Sequence, residues 1–316
     1  MGGLMAPTRF CALACAGPGL GLSNAMTAPD QNPIREVLDL LDLEPIEVNI
    51  FRGVSPKDRM QRVFGGQVLG QALVAAYRTV ENRVCHSLHG YFLRPGDPKV
   101  PILYEVDRSR DGKSFTSRRV VAIQHGKQIF TLAASFQVEE EGFEHQFDMP
   151  EAPAPETLPT EMELRAQALP QVPEEDREWF TRPRPIELRY VEPMEYVRPS
   201  KRAPRQMVWF RSTGQLPDDL SLHQCLLAYA SDLTLLDTAI RPHGVGWFDR
   251  SVQMASIDHA MWFHRPFRTD QWLLYAQDAP SASGARGFNR GAIYTREGVL
   301  VASVAQEGLA RPRKRG

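Results

Sequence analysis

Two stretches of this chain have the residue content of helices apolar nearly all round, and each is followed by runs rich in β-forming residues. The first spans Val68 to Val80 and draws on Val68, Leu69, Ala72, Leu73, Val74, Ala75 and Ala76. The second spans Leu222 to Ile240 and draws on Leu222, Cys225, Leu226, Leu227, Ala228, Tyr229 and Ala230. A helix of this kind must be enclosed by other elements. These β-rich runs predict strands: Ile102 to Asp107, Phe115 to Gln124 and Gln128 to Gln137 after the first helix, then Ser256 to Phe263, Trp272 to Gln277, Gly287 to Tyr294 and Val299 to Gln306 after the second. Short breaks such as His125-Gly126-Lys127 and Arg296-Glu297-Gly298 separate consecutive runs, so neighbouring strands pair antiparallel.

The two halves repeat one another. Pro45-Ile46-Glu47-Val48 returns as Pro185-Ile186-Glu187-Leu188, and Tyr91-Phe92-Leu93-Arg94-Pro95 as Trp262-Phe263-His264-Arg265-Pro266. The run from Gln128 to Gln137 matches Gly298 to Gln306, each ending in Gln. The expected fold is therefore α+β, with two tandem domains at residues 34–141 and 185–316. Each is an antiparallel sheet curled around its own helix, and the two sheets join edge to edge, which hides two open edges. Residues 142–184, rich in Pro and Glu, read as an extended connection with a short helix near Thr160 to Ala168.

Composition narrows the function classes. The 316 residues carry a net charge of −1, which gives no nucleic-acid footprint. The basic end, Arg311 to Arg315, reads as a solvated tail. No apolar run approaches the roughly 18 residues that cross a bilayer. Of the four cysteines, Cys11 and Cys15 lack a second pair at zinc spacing, while Cys85 and Cys225 sit among apolar neighbours. This usage fits a reducing cytosol. The stretch Phe10 to Ala16 after Arg9 resembles the core of a signal peptide but is brief and broken by Pro and Gly. Residues 1–33 are read as a disordered leader, with Met26 as an alternative start. The ending Arg-Lys-Arg-Gly is not a peroxisomal address, so the expected compartment is the cytoplasm.

A few polar residues stand where apolar ones belong. Cys225, Tyr229, Asp232 and Leu236 share a helical stripe in which Asp232 is the acid. A buried carboxylate is costly unless paired or hydrogen-bonded, so Asp232 either ties down a loop or does chemistry. Gln306 continues the face of Leu300, Ala302 and Val304, and Ser256 opens a strongly β-forming run. Asp258 and His259 are adjacent, but neighbours on a strand point to opposite faces and do not form one acid–base pair. The first half keeps Gln137 against Gln306 and has Cys85 against Ser256, yet its helix carries no acid. An acid present in one half only is not needed to build the fold, which favours a function.

Several motifs in order resemble the type II acyl-CoA thioesterases, the TesB family. They are Phe64-Gly65-Gly66-Gln67-Val68-Leu69-Gly70-Gln71-Ala72-Leu73, Tyr229-Ala230-Ser231-Asp232, Ser256-Ile257-Asp258-His259-Ala260-Met261-Trp262-Phe263-His264, Arg286-Gly287 and Ala305-Gln306-Glu307-Gly308-Leu309. The similarity runs from about Glu36 to Arg311. It implies a double hot-dog fold, an acyl-CoA substrate, association into homo-oligomers, and a catalytic set of Asp232, Ser256 and Gln306. Some members carry Thr where this chain has Ser256.

On that reading, thioester hydrolysis needs an activated water and a site for developing negative charge. Asp232 is the expected general base, with Ser256 and Gln306 orienting the water. Direct attack by Asp232, giving an anhydride, stays open beside it. Backbone amides near Gly65, Gly66 and Gln67 are expected at the oxyanion, and Arg62, Arg118 and Arg119 are candidates for the phosphates of coenzyme A. No cofactor and no metal are implied, since ligand-type residues do not cluster, and no G-x-S-x-G elbow is present. Rival readings are a hot-dog hydratase or dehydratase, for which His259 would be the residue to test, and a non-catalytic acyl-CoA sensor.

Overall fold

The computed structural model describes residues 33–56, 61–246 and 248–313. The leader expected over residues 1–33, with Cys11, Cys15 and Met26, lies outside them except for Pro33, as do Lys314 and Arg315 of the basic end. Pro33 opens helix α1 (Pro33–Leu41), followed by β1 (Glu44–Glu47), β2 (Ile50–Gly53), α2 (Gly65–Tyr77), β3 (Val84–Phe92), β4 (Ile102–Asp111), β5 (Phe115–Gln124) and β6 (Lys127–Gln137). The connection carries α3 (Glu161–Ala168) and α4 (Arg177–Thr181). The second half runs β7 (Ile186–Tyr190), β8 (Arg205–Ser212), α5 (Leu220–Ser231), α6 (Asp237–Ile240), β9 (Val252–Ser256), β10 (Asp258–Phe263), β11 (Leu273–Ser283), β12 (Arg286–Thr295) and β13 (Leu300–Pro312).

The strands form one antiparallel sheet in the order β1-β2-β4-β5-β6-β3-β10-β13-β12-β11-β8-β7, with β9 alongside β13. The halves meet at its centre, where β3 pairs with β10 from Asp258 opposite Tyr91 to Trp262 opposite Ser87. Each half curls around its helix. Every residue of α2 from Gly66 to Tyr77 is buried, and α5 is buried from His223 to Ala228 and again at Ala230 and Ser231. The sheet is thus doubled, and α2 and α5 pack against each other inside it. This is the hot-dog arrangement, twice in one chain. Among the described residues no helix is long and apolar enough to cross a membrane.

Alternation is what positions the strands. In β5, Thr116, Arg118, Val120, Ala122 and Gln124 point inward while Phe115 and Arg119 are exposed. The connecting segment is anchored rather than free. Thr160 and Glu163 form a capping box on α3, Trp209 donates its indole N–H to Pro153 O at 2.9 Å, and Gln146 exchanges hydrogen bonds with Gly298 O and Leu300 N.

Two departures from the expected elements matter for the site. The helix expected from Leu222 to Ile240 stops at Ser231, and Asp232 is its C-terminal cap, with φ −87° and ψ −3°. Asp232 and Leu236 therefore do not share a helical stripe. The run Ser256 to Phe263 is two strands, not one. Ser256 faces Gly308 while Ala260 faces Ala305, so four residues on one side span three on the other. The extra residue is a β-bulge centred on Ile257, whose N–H donates to Glu307 O at 2.9 Å and whose carbonyl accepts from Phe92 N.

Candidate active site

The bulge re-aims its neighbours. Ser256 and His259 lie three apart, and on a regular strand they would face opposite ways. With the extra residue between them, both turn toward the end of α5. Ser256 donates its hydroxyl to Asp232 Oδ1 at 3.1 Å, and His259 Nδ1 lies 3.9 Å from the same oxygen. Asp258 points the other way and accepts the Glu307 N–H at 2.6 Å, which closes the ladder where the bulge opens it.

Gln306 completes the grouping from β13. It is fully buried, and its side-chain N–H donates to Asp232 Oδ1 at 2.5 Å. The first half supplies the fourth contact, the backbone N–H of Gly66 in the opening turn of α2, which also donates to the carboxylate. This junction requires glycines. A Cβ on Gly66 would stand 2.3 Å from Tyr229 O, and one on Gly65 would stand 2.6 Å from Asp232 Oδ2. Burial pushes the Asp232 carboxyl up to about 6, against the three hydrogen bonds from Gln306, Ser256 and Gly66, which pull it down. A carboxylate that titrates there is a base near neutral pH, and it sits where both halves touch.

The corresponding place in the first half is filled. Tyr77, in the last turn of α2, donates its hydroxyl to Gln224 Oε1 and accepts the Cys85 N–H at 2.8 Å, while Gln224 donates to Cys85 O at 2.9 Å. All three residues are buried, and burial pushes the Cys85 thiol upward. Gln137 is not the counterpart of Gln306. Both closing strands carry the same irregularity, with Phe130 opposite Ala122 and Ala302 opposite Ile293. Counted from there, Ala134 matches Gln306, and Gln137 lies at the strand end, bonded to Glu140.

The remaining candidates separate. Gly65 and Gly66 adjoin Asp232. Gln67 turns away, donating to Val54 O at 3.1 Å and Ser55 Oγ at 2.9 Å. Arg62 is exposed ahead of α2, and Arg119 is exposed on β5. Arg118 does not fit a phosphate-binding role. It is buried, and its guanidinium donates to Thr79 Oγ1, Thr79 O, Arg110 O, Ser117 O and Asp111 Oδ1. It lies by the C-terminal end of α2, roughly 20 Å along the helix from Gly66 at 1.5 Å per residue. Its place on the inward phase with Val120 and Ala122 was not legible in the sequence, because Arg119 shares its own phase with the equally apolar Val121 and Ile123.

Two further residues join the neighbourhood: His259, which the sequence offered only for the hydratase reading, and Asn289, which sequence reasoning missed. His259 is fully buried and held by Ser231, with Nε2 2.9 Å from Ser231 Oγ. Asn289 is directly opposite Gln306 and equally buried. Both lie inward on their strands; the approach of His259 to Asp232 depends on the bulge, and the place of Asn289 beside Gln306 on the cross-strand register.

One sheet curled in two lobes around back-to-back helices defines a double hot-dog protein, and the Asp–Ser–Gln grouping at its junction is suited to hydrolysis. Residues 176–309 match the family model described as acyl-CoA thioesterase, and residues 55–137 match the acyl-CoA thioesterase N-terminal domain. Acyl-CoA thioesterase 2 of Haemophilus influenzae is 42% identical over 279 residues, covering 88% of this chain and 98% of that protein. Acyl-coenzyme A thioesterase 8 of Mus musculus is 44% identical over 285 residues, covering 87% and 88%. The crystal structure of acyl-CoA thioesterase II TesB2 from Mycobacterium marinum, 46% identical, superposes with a TM-score of 0.72 over 88% of this chain and 99% of that one. The chain belongs to the type II acyl-CoA thioesterase (TesB) family.

Proposed function

We propose that this chain hydrolyses acyl-CoA thioesters to the free acid and coenzyme A, with Asp232 as general base toward a water held by Ser256 and Gln306. The observation that carries the reading is a carboxylate buried between the two halves, titrating at about 6, with a hydroxyl and an amide bonded to one of its oxygens. Asp232 takes a proton from water as the water oxygen adds to the acyl carbon. It returns that proton to the departing sulfur as the C–S bond breaks. Negative charge developing on the carbonyl oxygen falls at the opening turn of α2, where N–H groups have no helical partner and the helix dipole is positive.

The test is thiol release from acyl-CoAs of short to long chain by wild type and Asp232→Asn, alongside binding of the same ligands. Turnover lost with affinity retained supports the reading. Equal turnover by both proteins overturns it, and binding without turnover by either moves the sensor ahead. The same reading takes residues 34–141 and 185–316 as the two modules and 142–184 as their connection. It also takes the working form as a homo-oligomer in the cytoplasm, which light scattering and cell fractionation address.

A further inference from the structure

The mechanism above leaves one buried titratable side chain beside the base without a part. His259 lies on β10 with Gly90 of β3 opposite it, and the β10–β13 register continues to put it across from Gln306. Its partner on the helix side is Ser231, the last residue of α5. A serine hydroxyl has one hydrogen, and in the last turn of a helix its usual acceptor is a carbonyl three or four residues back. Here Ser231 Oγ is 2.9 Å from Ala228 O, while its other contact, Met261 Sδ at 3.3 Å, is a weak acceptor. With the hydrogen on Ala228, the Ser231 oxygen can only accept from His259 Nε2. The imidazole hydrogen is then on Nε2, and Nδ1 is a bare lone pair.

Nδ1 has no hydrogen-bond partner and lies 3.9 Å from Asp232 Oδ1. A lone pair opposite an ionised carboxylate is repulsive, whereas opposite a protonated carboxyl it becomes a hydrogen-bond acceptor after a closure of about 1 Å. We propose that Ser231 fixes His259 as the Nε2–H tautomer, so that Nδ1 accepts a hydrogen bond from Asp232 whenever Asp232 holds the proton taken from water. His259 is then a positioning residue that strengthens the base, and the inference rests on the reading of Asp232 given above. The proton stays on Asp232 Oδ1 until it passes to the thiolate. It does not transfer to the ring, because burial pushes the imidazole down to about 3. The other groups facing the pair are uncharged: Ser256, Gln306, Asn289, Gly66, and Tyr275, whose hydroxyl donates to Ser231 O and is pushed upward by burial. Asp258 and Glu307 belong to the outer side of the bulge, the latter paired with Arg286.

The experiment is the pH dependence of kcat/KM for wild type, His259→Gln and Ser231→Ala, with nitrogen-15 NMR of the labelled imidazoles in the resting wild type. Glutamine keeps a donor toward Ser231 but has no acceptor at the position of Nδ1, because its carbonyl oxygen branches from the same carbon as the donor nitrogen. Losing that acceptor lowers the carboxyl, so the acid limb, near 6 in wild type, moves down by roughly 0.5–1 pH unit. Ser231→Ala releases the tautomer, lets Nδ1–H donate to the carboxylate, and shifts the limb the same way. The NMR spectrum of wild type shows Nε2 protonated and Nδ1 bare. A limb that moves up, a limb that stays while kcat/KM falls, or a protonated Nδ1 in the spectrum overturns the proposal, and the last holds even if the variants fail to fold. Wild-type turnover by Asp232→Asn overturns the base reading instead, a result the tautomer spectrum cannot produce.

Discussion

Replacing Asp232 by Asn should make the protein relatively more stable as pH rises, and by an amount the site itself sets. The carboxyl titrates at about 6 in the fold against an ordinary 3.8. The folded chain therefore binds this proton more tightly than the unfolded chain. The associated stability is complete below 3.8, is lost as pH climbs to about 6, and is constant above. At about 1.36 kcal/mol per pH unit, the whole loss is about 3 kcal/mol, of which about 1.4 kcal/mol falls between pH 5 and pH 8. Asparagine does not titrate. The stability difference between Asp232→Asn and wild type should thus move in favour of the variant by about 1.4 kcal/mol over that range, whatever its value at pH 5. Urea denaturation of both proteins at pH 5, 6, 7 and 8, followed by tryptophan fluorescence, measures the difference, and titrations common to both cancel. A difference that stays flat from pH 5 to 8 would refute the reasoning, because the carboxyl would then not titrate near neutrality in the fold.

Other expectations concern residues around and away from the site. Gly66→Ala places a methyl group against Tyr229 O and displaces the N–H that reaches Asp232; kcat should fall by roughly 100-fold or more, with stability down by about 1–3 kcal/mol in a thermal melt. Arg118→Ala strands the carbonyls of Thr79 and Arg110 and should cost about 3 kcal/mol in denaturant titration, while KM for acyl-CoA in the folded enzyme is unchanged; a raised KM would restore a ligand-binding role. Tyr77→Phe leaves the Cys85 N–H and Gln224 Oε1 without their partner, so about 1–3 kcal/mol of stability is lost with kcat intact.

Much of the fold was legible because strands and enclosed helices write their period directly into the chain. Ile102 to Asp107 alternates, with Ile102, Tyr104 and Val106 inward and Glu105 and Asp107 exposed, and α2 is apolar on nearly every side. Where buried polar residues satisfy one another, the pattern breaks. Gln206 sits inside β8, bonded to Thr234 O, Thr238 Oγ1 and Gln277 Oε1, so β8 did not read as a strand. The end of α5 was illegible for a different reason. Leu233, Leu235 and Leu236 continue the apolar spacing, and no Gly or Pro marks the stop. What ends the helix is Asp232 itself, held by Gly66, Ser256 and Gln306 from three other segments. For the site, the acid, hydroxyl and amide stood out as polar residues in apolar runs, and family resemblance gave them a role. The place of His259 did not stand out, because a single bulge residue at Ile257 decides which side chains share a face. Arg118 shows the converse, since charge drew attention to a residue whose strand phase placed it in the core.

The lock formed by Tyr77, Gln224 and Cys85 has a consequence for stoichiometry. Duplicated modules facing one another would offer two equivalent reaction chambers, yet one is sealed by neutral side chains bonded to each other. With Asp232 as the proposed base, each chain is expected to process one thioester at a time, and an assembly of several chains to hold as many reaction sites as chains. On that reading, any homotropic cooperativity in such an assembly has to travel between chains, because among the described residues the place equivalent to that of Asp232 holds no acid.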